Sequence, residues 1–240
     1  MYLVTGTSSG IGLEIAKYLV SQGAMVVGVS RRQSPLEHER FRSLSGDVSD
    51  PKLRNQIVSA LGGQLDGVVF NAGVLEAVTT LAAADADAWR QVFDINLFSI
   101  VGMLPDLIPL LRKSHGRAIF VSSGASTSAY QAWGAYGASK AALNHLSMTL
   151  AKEEPDIISV AVAPGVVGTE MQKRIRETYA ASDHMKKEEA EKFHSLHQNK
   201  QLVNPEDSGR LYGNLVMKAS ADLSGKYLRY YSDELLKPYN

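Results

Sequence analysis

Tyr136 and Lys140 stand four residues apart in Tyr136-Gly137-Ala138-Ser139-Lys140, the one Tyr-x-x-x-Lys in the chain. On a helix this spacing puts both side chains on one face. A free phenol has a pKa of about 10 and gives its proton to a substrate oxygen only slowly. A neighbouring ammonium favours the phenolate, so such a pair suits acid–base exchange with an oxo group. Two unrelated surface residues would produce the same pattern, so the pair needs company to carry an assignment.

That company begins near the N-terminus, with Thr5-Gly6-Thr7-Ser8-Ser9-Gly10-Ile11-Gly12 between a predicted strand and a predicted helix. Glycines there permit a tight turn and let the backbone approach a pyrophosphate, while the helix start offers unpaired N–H groups. An ordinary glycine turn is the bland alternative, and the strand–turn–helix setting favours dinucleotide binding. The second strand ends at Ser30, followed by Arg31 and Arg32. An NAD site usually carries an acid there for the ribose 2′-hydroxyl. Guanidinium groups instead suit a 2′-phosphate, so the cofactor expected is NADPH/NADP+.

The elements that must position these groups follow from hydrophobic patterning. Strands are expected at Tyr2–Thr5, Val26–Ser30, Phe41–Gly46, Gly67–Asn71, Ala118–Ser122, Ile157–Ala163 and Tyr227–Tyr230. Between them lie helical stretches at Gly10–Ser21, from Asp50-Pro51 onward, at Ala82–Leu111 with breaks near Pro105 and Pro109, at Ala135–Lys152 and at Asp207–Lys218. Strand–helix alternation predicts an α/β fold: one Rossmann-type, doubly wound parallel sheet with helices on both faces. Nothing divides the 240 residues, so a single domain spans 1–240. A charged helical insert at 170–201 follows a late strand, where it would sit above the carboxyl ends of the strands as a lid.

The sequence from Gly6 onward is similar to the short-chain dehydrogenase/reductase family along most of its length. The glycine spacing, Asp47-Val48, Asn71-Ala72-Gly73 and Pro164-Gly165-Val166-Val167-Gly168-Thr169 occur in the family's order. The resemblance implies cofactor contacts from Gly6, Ser8, Ser9, Gly10, Ile11 and Gly12 at the turn. Further contacts would come from Ser30, Arg31, Arg32, Asp47, Val48, Asn71, Ala72 and Gly73, with Pro164, Gly165, Val167 and Thr169 on the nicotinamide side, beside Tyr136 and Lys140. Many NADPH-using relatives also place a basic residue in the turn, where this chain has Ser9. Ser123, thirteen residues before Tyr136, matches the family's catalytic serine and would hold a substrate carbonyl. Asn96, in Asp94-Ile95-Asn96-Leu97, matches an asparagine that would hold a water linking Lys140 to solvent; an Asn bonded to backbone is the structural alternative. Tyr136 would then protonate the carbonyl oxygen as hydride reaches its carbon.

Several stretches resemble fungal benzil reductase and sepiapterin-reductase-like members, among them Val121–Ser126 and Trp133–Gly137. These imply a ketone substrate, best a vicinal aromatic diketone, in a pocket lined by Ser123, Tyr130, Trp133, Tyr136 and Met171. Sepiapterin reductases hold the pterin with an aspartate; aligned on Ser224-Gly225, that position is Arg229, which argues against pterin. A 3-oxoacyl thioester and a non-catalytic NADP-sensing module are the other readings.

Composition narrows the partners. Lysine plus arginine equals aspartate plus glutamate at 25 each, so no global field favours nucleic acid. Cysteine is absent, which excludes thiol nucleophiles and disulfides. His194 and His197 share a helical face without an obvious third ligand, so no metal is expected. No segment reads as a bilayer span or targeting signal, which predicts a cytoplasmic protein. The long apolar helix around Trp89–Leu111 allows a homodimer.

Overall fold

A computed structural model of the chain describes residues 1–180 and 185–239. Seven parallel strands among them form one sheet: β1 (Tyr2–Thr5), β2 (Val26–Ser30), β3 (Phe41–Ser45), β4 (Gly67–Phe70), β5 (Arg117–Val121), β6 (Ile158–Ala163) and β7 (Tyr227–Arg229), in the order β3-β2-β1-β4-β5-β6-β7. The order reverses direction between β1 and β4, and open α/β sheets bind ligands at such a switch point.

Alternation along each strand assigns its side chains to two cores. Leu3, Val68, Phe70, Ala118 and Phe120 face α2 (Pro51–Leu61), α4 (Ser99–Ser114) and α5 (Gly134–Glu153). Val4, Val69, Ile119 and Val121 face α1 (Gly10–Ser21) and α8 (Pro205–Lys218). Both faces are covered, which suits the near-continuous apolar runs of the central strands β1, β2, β4, β5 and β6. Asp50 caps α2 by accepting from the Lys52 N–H at 2.8 Å, with Pro51 in the first turn.

One helical expectation needs correcting. The long helix does not break at Pro105 or Pro109; α4 runs through both. The two prolines sit one turn apart on the exposed face, where carbonyls deprived of their helical donors meet water. The irregularity lies earlier, in a π-helical turn at Asp94–Phe98 joining α3 (Ala86–Phe93) to α4. Within the helical run Ala86–Ser114 an 18-residue stretch has a mean hydropathy of 1.5, long and apolar enough to cross a membrane by length and composition alone, as the core helix of a soluble protein also can be. Here it packs on the sheet through Met103, Leu104, Leu107 and Leu111.

The insert after β6 carries α6 (Glu170–Arg174), a π-helical turn at Ile175–Tyr179 and α7 (Lys187–Gln198). Positions 181–184 of the expected lid lie outside the described residues. The insert returns at Val203, whose N–H donates to the Val166 carbonyl at 2.9 Å and whose carbonyl accepts from the Gly168 N–H at 3.0 Å. Its two ends are thereby tied together beside the strand ends. A third apolar cluster, including Leu75, Trp133, Tyr136, Ile175, Met185 and Phe193, fills the space beneath it.

Candidate active site

Strand β5 and helix α5 bring three of the four expected catalytic residues together. Tyr136 and Lys140 lie on consecutive turns of α5 and are buried. The Lys140 amine lies 5.9 Å from the centre of the Tyr136 ring and donates to the Val121 carbonyl at 2.8 Å, at the end of β5. Two residues on, the Ser123 hydroxyl is hydrogen-bonded to the Tyr136 hydroxyl. The loop carrying Ser123 reaches α5 because of a glycine inside the Tyr-x-x-x-Lys motif. A Cβ on Gly137 would lie 2.9 Å from the Ala125 carbonyl oxygen.

Ser122, the neighbour of Ser123, points away from the phenol. Its hydroxyl donates to Asn144 Oδ1 at 2.6 Å, and Asn144 Nδ2 donates to Ser126 Oγ at 2.9 Å. Ser126 donates in turn to the Ser123 carbonyl at 2.6 Å, and the Tyr227 hydroxyl donates to that carbonyl at 3.1 Å. The loop carrying Ser123 is thus braced from α5 and from β7. Sequence reasoning missed Asn144, although its place one turn beyond Lys140 on the face of Tyr136 was a usable signal.

Burial sets the protonation states. It pushes the Tyr136 phenol up, with the Ser123 hydroxyl pulling modestly the other way. It pushes the Lys140 amine down to about 8. The protein alone therefore holds a neutral phenol, the form that can donate a proton, beside an amine still charged at neutral pH. Desolvation of the ring hydroxyl is the largest influence on the phenol.

Asn96 occupies the π-helical turn and is fully buried. Its side chain clasps the backbone of Val74: Oδ1 accepts from the N–H at 2.8 Å and Nδ2 donates to the carbonyl at 3.0 Å. The second Nδ2 hydrogen goes to Ser139 Oγ at 3.0 Å. Both amide donors are thus engaged in bracing, and the alternative of an Asn bonded to backbone describes this side chain. It still borders the site, since a Cβ on Gly73 would lie 3.2 Å from Asn96 Oδ1 and 3.4 Å from the Lys140 amine.

A cleft of about 1040 Å³ runs over the strand ends from Arg31 and Asp47, past the glycine turn, to Tyr136. That is the upper limit of an ordinary small-molecule pocket, room for an extended cofactor and a second ligand. Every residue expected at the cofactor lines it except Gly12. Gly12 instead packs α1 against the turn: a Cβ there would lie 2.3 Å from the Gly6 carbonyl oxygen. Gly6 needs its glycine for conformation as well, with φ at +81°.

The residues present fit a dinucleotide. Among the described residues, Ser9 caps α1 without a side-chain hydrogen bond, which leaves first-turn N–H groups for an anion. Asn71 braces the turn, its Nδ2 donating to the Thr5 carbonyl at 2.8 Å. Thr169 lies across the turn, its Cγ2 3.2 Å from where a Gly10 Cβ would be. At the far end the Ser30 hydroxyl donates to the Arg32 carbonyl at 2.7 Å, fixing the turn that presents two exposed guanidinium groups. Asp47 is held below the usual carboxylate range, chiefly by the Ser49 N–H and further by the Ser49 hydroxyl and the Arg31 charge.

The expected pocket residues Ser123, Tyr130, Trp133, Tyr136 and Met171 all line the other end of the cleft. The Trp133 ring meets Tyr136 edge-on, centres 5.9 Å apart, and lies 4.9 Å from Tyr130. Phe193 of α7, absent from the sequence expectation, completes this aromatic wall. Arg229 lines the cleft and donates to Thr127 Oγ1 at 3.0 Å. His194 and His197 are exposed on α7.

The chain is similar in sequence and fold to known proteins. Residues 1–180 match the family model described as short chain dehydrogenase. The chain is 41% identical over 240 residues to the oxidoreductase YIR035C of Saccharomyces cerevisiae, covering 95% of this chain and 94% of that one. It is 39% identical over 257 residues to the same yeast's benzil reductase ((S)-benzoin forming) IRC24, covering 98% and 97%. The crystal structure of YIR035C superposes with a TM-score of 0.95 at 39% identity, covering 100% of this chain and 99% of that one. With its parallel sheet, its glycine turn and its buried Tyr136–Lys140 pair, the chain belongs to the short-chain dehydrogenase family.

Proposed function

We propose that this protein is an NADPH-dependent ketone reductase that reduces one carbonyl of a vicinal aromatic diketone, such as benzil, to an α-hydroxyketone. The observation that carries the reading is the meeting of a Ser123–Tyr136–Lys140 set with an aromatic wall in one cleft. The resemblance to a yeast benzil reductase supports the same substrate class.

When bound, the reduced nicotinamide supplies a hydride to the carbonyl carbon. The chain's own residues supply everything else. Ser123 and Tyr136 present two hydroxyls from which a carbonyl oxygen can accept, which polarises it and fixes its position. Tyr136, neutral because it is buried, donates its proton to that oxygen as negative charge develops. Lys140, held by the Val121 carbonyl and charged at neutral pH, stabilises the phenolate left behind. Trp133, Tyr130 and Phe193 exclude water and take up aryl rings. Arg31 and Arg32 favour a 2′-phosphate, and no carboxylate at the end of β2 opposes it.

The test is NADPH consumption over benzil, aliphatic diketones, quinones, sepiapterin and acyl thioesters. Benzil is expected to give the highest kcat/KM, and Tyr136→Phe to lose nearly all turnover while keeping NADPH affinity. Tight NADPH binding with no turnover on any of them would replace the enzyme with a sensing module.

A further inference from the structure

Arg229 ends β7 at the edge of the sheet, and its side chain lines the cleft. Tyr227, two residues earlier, shares its face of the strand, and both side chains reach the loop that begins at Ser123. The Tyr227 hydroxyl donates to the Ser123 carbonyl at 3.1 Å, and Arg229 Nη2 donates to Thr127 Oγ1 at 3.0 Å. That neutral contact holds the guanidinium in place and leaves its charge unmet. Among the described residues, Arg229 takes part in no ion pair.

A second cation is held on the same loop. Lys192 of α7 also lines the cleft, with its amine 5.4 Å from the centre of the Tyr130 ring. Thr127 and Tyr130 are three residues apart, so the anchoring points of the two cations lie within about 11 Å of each other. Glu189, one turn before Lys192, accepts from the Gln131 N–H at 3.1 Å and forms no ion pair with the amine. The acidic residues lining the cleft stand elsewhere. Asp47 belongs to the far end, and Glu170 begins α6 beside Thr169, across from the glycine turn. Arg174, a third cation of the cleft wall, is already matched by Glu76 at 3.0 Å.

The substrate end of the cleft therefore combines an aromatic wall with two cations that lack a counter-charge. A neutral diketone would use the wall and leave both cations to water. A carboxylate on the same substrate can accept two parallel bonds from the guanidinium fork, while its aryl ring still packs on Trp133 and Phe193. We propose that Arg229, assisted by Lys192, is a specificity-determining residue that selects a carboxylate on the substrate, so that the preferred substrate is an aromatic diketone bearing an acid group. This rests on the ketone-reductase reading, in which benzil is the neutral core of that class.

Steady-state reduction with NADPH tests it on benzil, its 3- and 4-carboxylates and their methyl esters. For at least one isomer, wild-type kcat/KM is expected to be roughly tenfold higher on the acid than on its ester, chiefly through KM. High salt should shrink that ratio. Arg229→Gln, which removes the charge and keeps hydrogen-bonding capacity, should bring acid and ester within about twofold, and Lys192→Gln should lower the ratio by a smaller factor. A wild-type protein indifferent to the acid overturns the proposal. So does a full preference surviving in Arg229→Gln, even where both rates fall together, since that marks a structural role. Failure of wild type to reduce any of the five compounds overturns the reductase reading itself.

Discussion

Phe193 of α7 lies nearly face to face with Trp133, ring centres 5.5 Å apart and planes 16° from parallel. Phe193 is 3% exposed although it belongs to a helix that is charged over most of its surface. One aromatic side chain thus anchors the insert to the substrate end of the cleft. Phe193→Ala is expected to raise KM for benzil by about tenfold, because an aryl contact of this kind is worth roughly 1 kcal/mol beyond its area. For butane-2,3-dione, which has no ring to stack, kcat/KM should change by less than about twofold. Steady-state kinetics on the two diketones checks both halves.

Arg31 and Arg32 project from a turn fixed by Ser30. Paired charge-assisted contacts to a phosphate are strong and screened by salt. Arg31→Ala with Arg32→Ala should weaken NADPH binding by roughly a hundredfold at low salt and leave NADH nearly unchanged. Fluorescence titration of both cofactors at two ionic strengths gives the answer, and a parallel loss for NADH would remove the phosphate role.

The Lys140 amine, lowered by burial to about 8 from 10.5, sets a pH limit. Below that value it is charged and supports proton donation by Tyr136; above it the charge disappears. Reductive kcat should be level near pH 7 and fall as pH rises through about 8. Stability moves the other way. Between about 8 and 10.5 the unfolded chain binds more protons at this site than the folded one, so folding stability from Lys140 rises with pH. Melting of wild type against Lys140→Met across that range should show the variant's advantage shrinking.

Asn144 joins Ser122 to Ser126 and so braces the Ser123 loop from α5. It touches neither ligand site and acts as a positioning residue. Asn144→Ala should lower kcat by about tenfold, since loss of orientation by an ångström is felt strongly in rate. NADPH affinity should stay within about twofold, because the glycine turn is untouched. A matching fall in cofactor affinity would mean general loosening instead.

The parts of the site made by local geometry were readable from sequence. Gly6 and Gly10 sit where the turn requires them, and Tyr136 and Lys140 share a face because a helix repeats every turn. The parts made by long-range packing were not. Gly12 looks like a cofactor glycine, yet its use is close approach of α1 to the Gly6 carbonyl. Pro105 and Pro109 look like breaks, and only their exposure explains why α4 continues. Phe193 sits in a stretch whose charges suggest a solvated surface; its place in the cleft depends on Trp133, which lies beneath it.

The π-helical turn at Asp94–Phe98 puts one residue more into a helix than regular winding would hold. Asn96 lies in that turn and grips Val74, while α4 beyond it lays its apolar face on the sheet. Deleting a residue here would yield a smoother coil and loosen the floor beneath Lys140. The imperfection is where the scaffold concedes regularity to reactivity.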